Sequence, residues 1–259
     1  MSYPNPYNFQ QYVEWHQQHI EPEIELLKTI ASTLDSLKQN KDRLSKLAEL
    51  LNILNTLLLR AKQTTDEDIS LYKNDILLSS QLSPDRYDEI FKSIPSIVDK
   101  LWRKNKDTTE YITTVNLTSK IKDLVRSSVI VSTHSYANDF SRILQDWRNK
   151  LQINGFDSDN YQDIEEILVE QEAKMASGYF AYHVDVIYID GFHVEIQIYS
   201  QLNEIWRNLS HKLYEKTRLQ QSVEHGHGTS ASRLVSLGHL LHLAECEAER
   251  LQSDFGRDN

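Results

Sequence analysis

One cysteine, Cys246, stands in a chain of 259 residues, so no internal disulfide can hold the fold, and a reducing compartment is expected. Glycine and proline are scarce, 7 and 5, which argues against the turn-rich sequences of all-β sandwiches and barrels. Long apolar runs are missing too. The densest cluster, Leu50 to Leu59, is broken by Asn52, Asn55 and Thr56 and is too short to cross a bilayer. The stretch Met1 to Gln10 has neither a basic start nor an apolar run, so no secretory leader is expected. Positive charge is also in deficit. With 28 Lys and Arg against 38 Asp and Glu the net charge is −10, which disfavours general binding to a polyanion and leaves room for a local basic site. A soluble, cytoplasmic protein is the expectation.

What the chain has is helix-forming periodicity. Residues 8–64 read as helical. Leu26, Leu27, Ile30, Leu34 and Leu37 recur on one face, and Leu44, Leu47, Leu50, Leu51, Leu54 and Leu58 on another. Glu21-Pro22 suits a helix start and Gln39-Asn40 a break, giving a helical hairpin whose stripes pack onto the following domain or onto a coiled-coil partner. Further helices are expected over 66–83, from Ser83-Pro84-Asp85, over Ser96 to Lys104, over Tyr136 to Leu151 and over the acidic stretch Tyr161 to Ala173. Val129 to Val131 reads as a buried strand, and Asn154-Gly155 as a turn. The strongest strands are 179–189 and 192–199, joined at Asp190-Gly191. A three-residue turn ending in a left-handed Gly191 puts His183 and Asp185 on one face with Glu195 and Gln197, whereas a two-residue turn opposes them to Val184 and Val186. The first register gathers the polar groups and is preferred. Leu202, Ile205, Trp206, Leu209 and Leu213 read as the inner face of the next helix, and Ser230 to Gln252 as a final amphipathic one. The pattern gives an α+β fold: a small mixed sheet flanked by helices over 84–259, with a helical N-terminal region over 1–83.

Four sets of residues could carry chemistry. Glu195 lies on a well-specified strand beside His193 and Gln197, although polar alternation alone also describes a half-solvated sheet. Asp123 precedes the apolar strand and could hold Mg²⁺ with Glu195, or simply cap a turn. Lys92, Ser96 and Lys100 stand at i, i+4 and i+8 and, with Arg103 and Lys104, form a local basic run suited to a polyphosphate. Pro95 fits a first helical turn and Ser93 its cap. Ser177-Gly178-Tyr179 offers a close backbone approach and a ring able to stack on a base. His225, His227, His239 and His242 do not match a zinc spacing and read as surface histidines.

These elements occur in one order: Lys92, Ser96-Ile97, Lys100 and Arg103-Lys104; Asp123-Leu124-Val125 and Val129-Ile130-Val131; Gly178-Tyr179 and His183; Val194-Glu195-Ile196-Gln197-Ile198; Trp206, His211-Lys212-Leu213-Tyr214 and Lys216. In order and spacing they resemble the synthetase domain of the RelA/SpoT alarmone family. The resemblance implies a nucleotidyltransferase-like fold and transfer of pyrophosphate from ATP to the 3′-hydroxyl of GDP or GTP. It implies Mg²⁺ on Asp123 and Glu195. Lys92, Ser96, Lys100, Arg103, Arg126 and Lys174 would hold nucleotide, with Tyr179 stacked on guanine and His183, Gln197 and His211 nearby. It also implies a homo-oligomer and, for a toxin-type relative, an antitoxin and an adenosine nucleotide or the tRNA 3′ end as acceptor. Ile90, Ser128 and Tyr199 stand where family members carry arginines, two of which sandwich adenine. Arg126 could substitute from a neighbouring position, and a binding module without ATP chemistry is the competing expectation.

Overall fold

The computed structural model describes residues 2–65, 79–80, 82, 84–174, 178–218 and 226–257. Helix α1 (Phe9–His19) starts at Asn8, whose side chain accepts the Gln11 N–H, an N-cap that satisfies one of the helix's orphan donors. Its Tyr12, Val13 and Trp15 join Leu26, Ile30 and Leu34 of α2 (Leu26–Lys38) and Ile97, Val98 and Leu101 of α4 (Ile94–Asn105) in one apolar cluster. Helix α3 (Lys41–Thr65) sends Leu44, Leu47, Leu50, Leu51, Leu54 and Leu57 into a second, larger cluster against the sheet. The break at Gln39-Asn40 is as expected and both stripes are buried within the chain. They serve two different cores instead of facing each other as a hairpin. Glu21-Pro22 does not open α2. The Glu21 carboxylate is drawn instead to the His16 ring (2.9 Å) and to the Thr114 N–H (2.9 Å) and hydroxyl (2.7 Å), so the helix begins at Leu26.

Within 66–83 only Ser79, Ser80 and Leu82 are described, and the first two form a short strand, β1 (Ser79–Ser80), in place of helix. Pro84–Ile90 is a 3-10 turn, and a one-turn helix, α5 (Leu117–Lys120), follows α4. The sheet has the order β1-β2-β5-β4-β3. Strand β2 (Arg126–Val131) runs parallel to β5 (His193–Ser200), while β4 (Tyr179–Tyr188) is antiparallel to both β5 and β3 (Ile164–Lys174). Helix α6 (His134–Gln145) covers one face, on which Val184, Val186, Val194, Ile196 and Ile198 are buried. The helix expected from Tyr136 to Leu151 breaks at Asp146, whose carboxylate takes the Asn149 amide; α7 (Trp147–Ile153) continues from there.

The hairpin that sets the polar face forms as the preferred register requires. Ile189, Asp190 and Gly191 make a three-residue turn closed by the Tyr188 N–H donating to Phe192 O (2.9 Å), with Gly191 at φ +82°, a conformation that costs glycine nothing. His183 is therefore paired with Gln197 and Asp185 with Glu195.

Tyr161 to Ala173 is a correction. From Ile164 onward it is the edge strand β3, not an acidic helix. Ile164 and Ile167 are both buried, a spacing of three that reads as helical. A register shift between Ile164 and Glu166 changes the strand's parity, so a bulge turns both isoleucines inward.

Helix α8 (Gln201–Arg218) packs beside α9 (Ser230–Arg257). Of the expected inner face, Trp206 is buried and donates its indole N–H to Leu234 O (2.8 Å), whereas Ile205 is 51% and Leu209 43% exposed. Helix α9 closes against the start of β4 where two glycines meet. A Cβ on Gly238 would lie 2.5 Å from Gly178 O and 2.7 Å from Trp206 Nε1. Gly238→Ala is therefore expected to destabilise the fold by about 1–3 kcal/mol, read as a lower urea midpoint. An unchanged midpoint would show that this contact yields freely. Further along α9, Glu245 accepts the His134 N–H (2.6 Å) and the Ser200 hydroxyl (2.9 Å), and Glu249 accepts the Ser135 N–H (2.8 Å). Burial pushes the Glu245 carboxyl up to about 7, with the Ser200 and His134 donors pulling it back. Cys246 is half-buried on the same helix, its Sγ 3.8 Å from His242 Nε2.

Candidate functional site

The face of the sheet opposite α6 carries the polar residues. Strand alternation brings Arg126 and Ser128 of β2, Glu195, Gln197 and Tyr199 of β5, and Tyr179, His183 and Asp185 of β4 to it, through the pairs Arg126–Glu195, Ser128–Gln197, His183–Gln197 and Asp185–Glu195.

On this face the side chains form a directed chain of hydrogen bonds. The Gln197 amide donates to Glu195 Oε1 (2.6 Å), so its oxygen accepts from the Tyr199 hydroxyl (2.5 Å). The single Tyr199 proton is thereby used. Its contact with Tyr179 (3.2 Å) must be made by the Tyr179 proton, and the Tyr179 oxygen then accepts from His183 Nε2 (2.8 Å). The other ring nitrogen, His183 Nδ1, lies 3.9 Å from Glu195 Oε1, so the chain nearly closes on its carboxylate. Below it, His193 Nδ1 donates to Lys122 O (2.5 Å), and His193 Nε2 faces Asp185 Oδ1 at 3.4 Å. That histidine holds the Asp185 carboxyl below the ordinary range. Tyr179 is half-buried, its ring edge-on to Trp206, Tyr199 and His183.

Asp123 lies buried in the turn before β2. It is clamped by Lys92 Nζ (2.7 Å) and Lys100 Nζ (2.6 Å). Burial raises its carboxyl, but the two ammonium groups outweigh that and hold it down to about 2, so it is ionised. Lys92 precedes α4, and its backbone N–H is fixed on Leu124 O (2.9 Å). Burial draws the Lys92 ammonium below its usual range despite Asp123, and the charge of Arg126 adds to this. Arg126 is thus within electrostatic reach of the clamp, and also of Tyr199.

The remaining expectations are distributed unevenly. Ser93 stands at the N-cap of α4, with its hydroxyl 2.9 Å from that of Ser96 instead of on a backbone N–H. Arg103 turns to the buried Asp99 (3.0 Å) on its own helix. His211 is exposed on α8. Lys174 ends β3 opposite Tyr179, and its side chain lies outside the described residues. Ile90 is a core residue. His225 lies outside the described residues, and His239 and His242 pack on Phe180. Among the described residues no three His, Cys, Asp or Glu side chains form a metal cluster, and no helix is long and apolar enough to cross a membrane. One residue escaped the sequence reading. Arg207 of α8 places its guanidinium carbon 5.0 Å from the centre of the Tyr199 ring. Its only sequence signal is its place directly after Trp206.

A mixed sheet with one face under α6 and the other bearing Glu195 and its hydrogen-bonded neighbours, with the lysine-clamped Asp123 in the turn before β2, defines an α+β domain. Residues 90–220 match the region found in RelA / SpoT proteins, and the chain belongs to that family. Among solved structures it is similar to small alarmone synthetase 1 of Bacillus subtilis, with 18% identity, TM-score 0.46, and coverage of 64% of this chain and 78% of that one. Small alarmone synthetase 2 of the same organism gives 19%, 0.44, 78% and 97%. A GTP pyrophosphokinase family protein of Streptococcus pneumoniae gives 23%, 0.43, 64% and 74%. No curated protein matches the chain.

Proposed function

We propose that this chain transfers pyrophosphate from ATP to the 3′-hydroxyl of a guanosine nucleotide. The observation that supports this most is the position of Glu195, on the face of the sheet opposite α6 and at the receiving end of the hydrogen-bond chain from His183 through Tyr179, Tyr199 and Gln197. In this reading the acceptor 3′-oxygen attacks the β-phosphorus of ATP, the bond from that phosphorus to the α–β bridging oxygen breaks, and AMP leaves. Glu195 takes the hydroxyl proton. Gln197, which holds one carboxylate oxygen, keeps the other turned to the acceptor. Lys92 and Lys100 meet the phosphates, and Tyr179 offers its ring to the acceptor base.

The donor set fits Mg²⁺, which takes one or two carboxylates and completes its shell with phosphate oxygens. Of the two Glu195 carboxylate oxygens only Oε1 receives a hydrogen bond from the described residues, and Asp123 is ionised beside two lysines that phosphates can draw away. Glu195 and Asp123 would hold the ion, which would neutralise charge building on the transferred group. Transfer of this kind rests on positioning and charge neutralisation. The outer rim argues for a mononucleotide over tRNA, because Glu166 and Glu170 of β3 are exposed there and would repel a long polyanion.

The test is incubation with Mg²⁺ and ATP labelled in the γ-phosphate, with GDP, GTP, ADP, ATP or tRNA as acceptor. Label is expected on GDP or GTP. Label on an adenosine nucleotide or on tRNA would reassign the acceptor. Nucleotide binding with no transfer to any of the five would leave a binding module in place of an enzyme.

A further inference from the structure

The positive charge around this site is not evenly compensated. Lys92 and Lys100 share Asp123, and Arg103 has Asp99. Arg207 is different. It projects from α8 over the Tyr199 ring, 5.0 Å from its centre. Its Nε is buried without a hydrogen-bond partner. Among the described residues no carboxylate pairs with it, and none pairs with Arg126, whose charge also reaches Tyr199.

A buried guanidinium N–H without an acceptor is costly, and such a group persists where a ligand supplies what the protein withholds. The planar fork of arginine matches two oxygens of one phosphoryl group, which a lysine cannot do. Tyr199 supplies the floor. Packed beneath Arg207, and tied through its hydroxyl to Gln197 and Tyr179, it fixes the guanidinium relative to Glu195.

We propose that Arg207 is a phosphoryl-binding residue of this site: its guanidinium takes phosphate oxygens of a bound nucleotide, with the Tyr199 ring as its platform. The proposal rests on the nucleotide-transfer reading above. It adds a binding group delivered from α8, outside the sheet.

The experiment is calorimetric titration of the full chain with ATP, GDP and inorganic tripolyphosphate, for the wild type, Arg207→Ala and Arg207→Met. Methionine keeps an apolar stem on Tyr199 and guards against a folding defect in the alanine variant. Both substitutions are expected to weaken tripolyphosphate and one of the two nucleotides by about 10- to 100-fold, the usual worth of a hydrogen bond to a charged group, and to leave the other nucleotide within about twofold. Which nucleotide loses affinity says whether Arg207 serves donor or acceptor. Wild-type binding that neither variant alters would overturn the role of Arg207 and leave the transfer reading standing. Uniform weakening of both nucleotides would assign Arg207 a structural role and overturn it likewise. A wild type that binds neither nucleotide would remove both readings together.

Discussion

Glu195→Gln is expected to lower pyrophosphate transfer by about 10²- to 10⁴-fold, the range found when a positioned proton acceptor is lost. The substitution is nearly isosteric. A glutamine at this position still presents an oxygen to the Gln197 amide, now 2.6 Å from Glu195 Oε1, so the chain of hydrogen bonds behind it has no reason to break. What disappears is the negative charge and the capacity to take a proton. The measurement is the initial rate of label transfer at saturating nucleotide, with thermal unfolding and GDP affinity as controls. Unchanged unfolding with a collapsed rate is the expected pair. A rate within a few-fold of wild type would take Glu195 out of the reaction.

Asp123→Asn should act on stability as well as on activity. It leaves Lys92 and Lys100, whose Nζ atoms lie 2.7 and 2.6 Å from the lost carboxylate, facing each other in a poorly hydrated turn. Breaking a buried ion cluster by removing one partner costs about 3–5 kcal/mol. The pH dependence follows from the same charges. The Asp123 carboxyl is held down to about 2 in the folded chain, against 3.8 in the open chain. Its contribution is therefore complete above pH 4 and is lost as the pH falls through 4 toward 2, by about 2–3 kcal/mol in all. Urea unfolding at pH 7 and over that acid window is the check. The asparagine variant should start lower and lose less on acidification, and a variant that unfolds like wild type at both ends would mean that the clamp contributes nothing.

The polar strand face was legible because two local signals agree. Alternation along His193 to Tyr199 and a turn ending in Gly191 admit one register that keeps His183 and Asp185 with Glu195 and Gln197. What could not be read was anything carried by long-range geometry. Asp123 is 31 positions from Lys92 and 23 from Lys100, and no local pattern ties them. The expected face of Lys92, Ser96 and Lys100 is not purely helical, because α4 begins at Ile94; Lys92 reaches the clamp from an extended segment pinned on Leu124. The mistaken helix over Tyr161 to Ala173 has a similar origin. One extra residue in an edge strand imitates a helical period, and pairing with β4, which a single segment cannot announce, decides the matter. Arg207 carries no local signal beyond its place after Trp206, and only the fold sets it over Tyr199.

The contact between α9 and the start of α6 has a consequence for where charge can bind. Open α/β architectures usually receive anions in the crevice beyond the carboxyl ends of parallel strands, where a helix begins. Here β2 and β5 are the parallel pair and α6 opens just past them, yet the amides of His134 and Ser135 already hold Glu245 and Glu249. The chain has seated its own carboxyl groups in the customary berth. On the transfer reading, incoming phosphates would be turned from that berth to the Glu195 face, where side-chain cations would receive them, and the last helix would act as a stopper that assigns the ligand its side of the sheet.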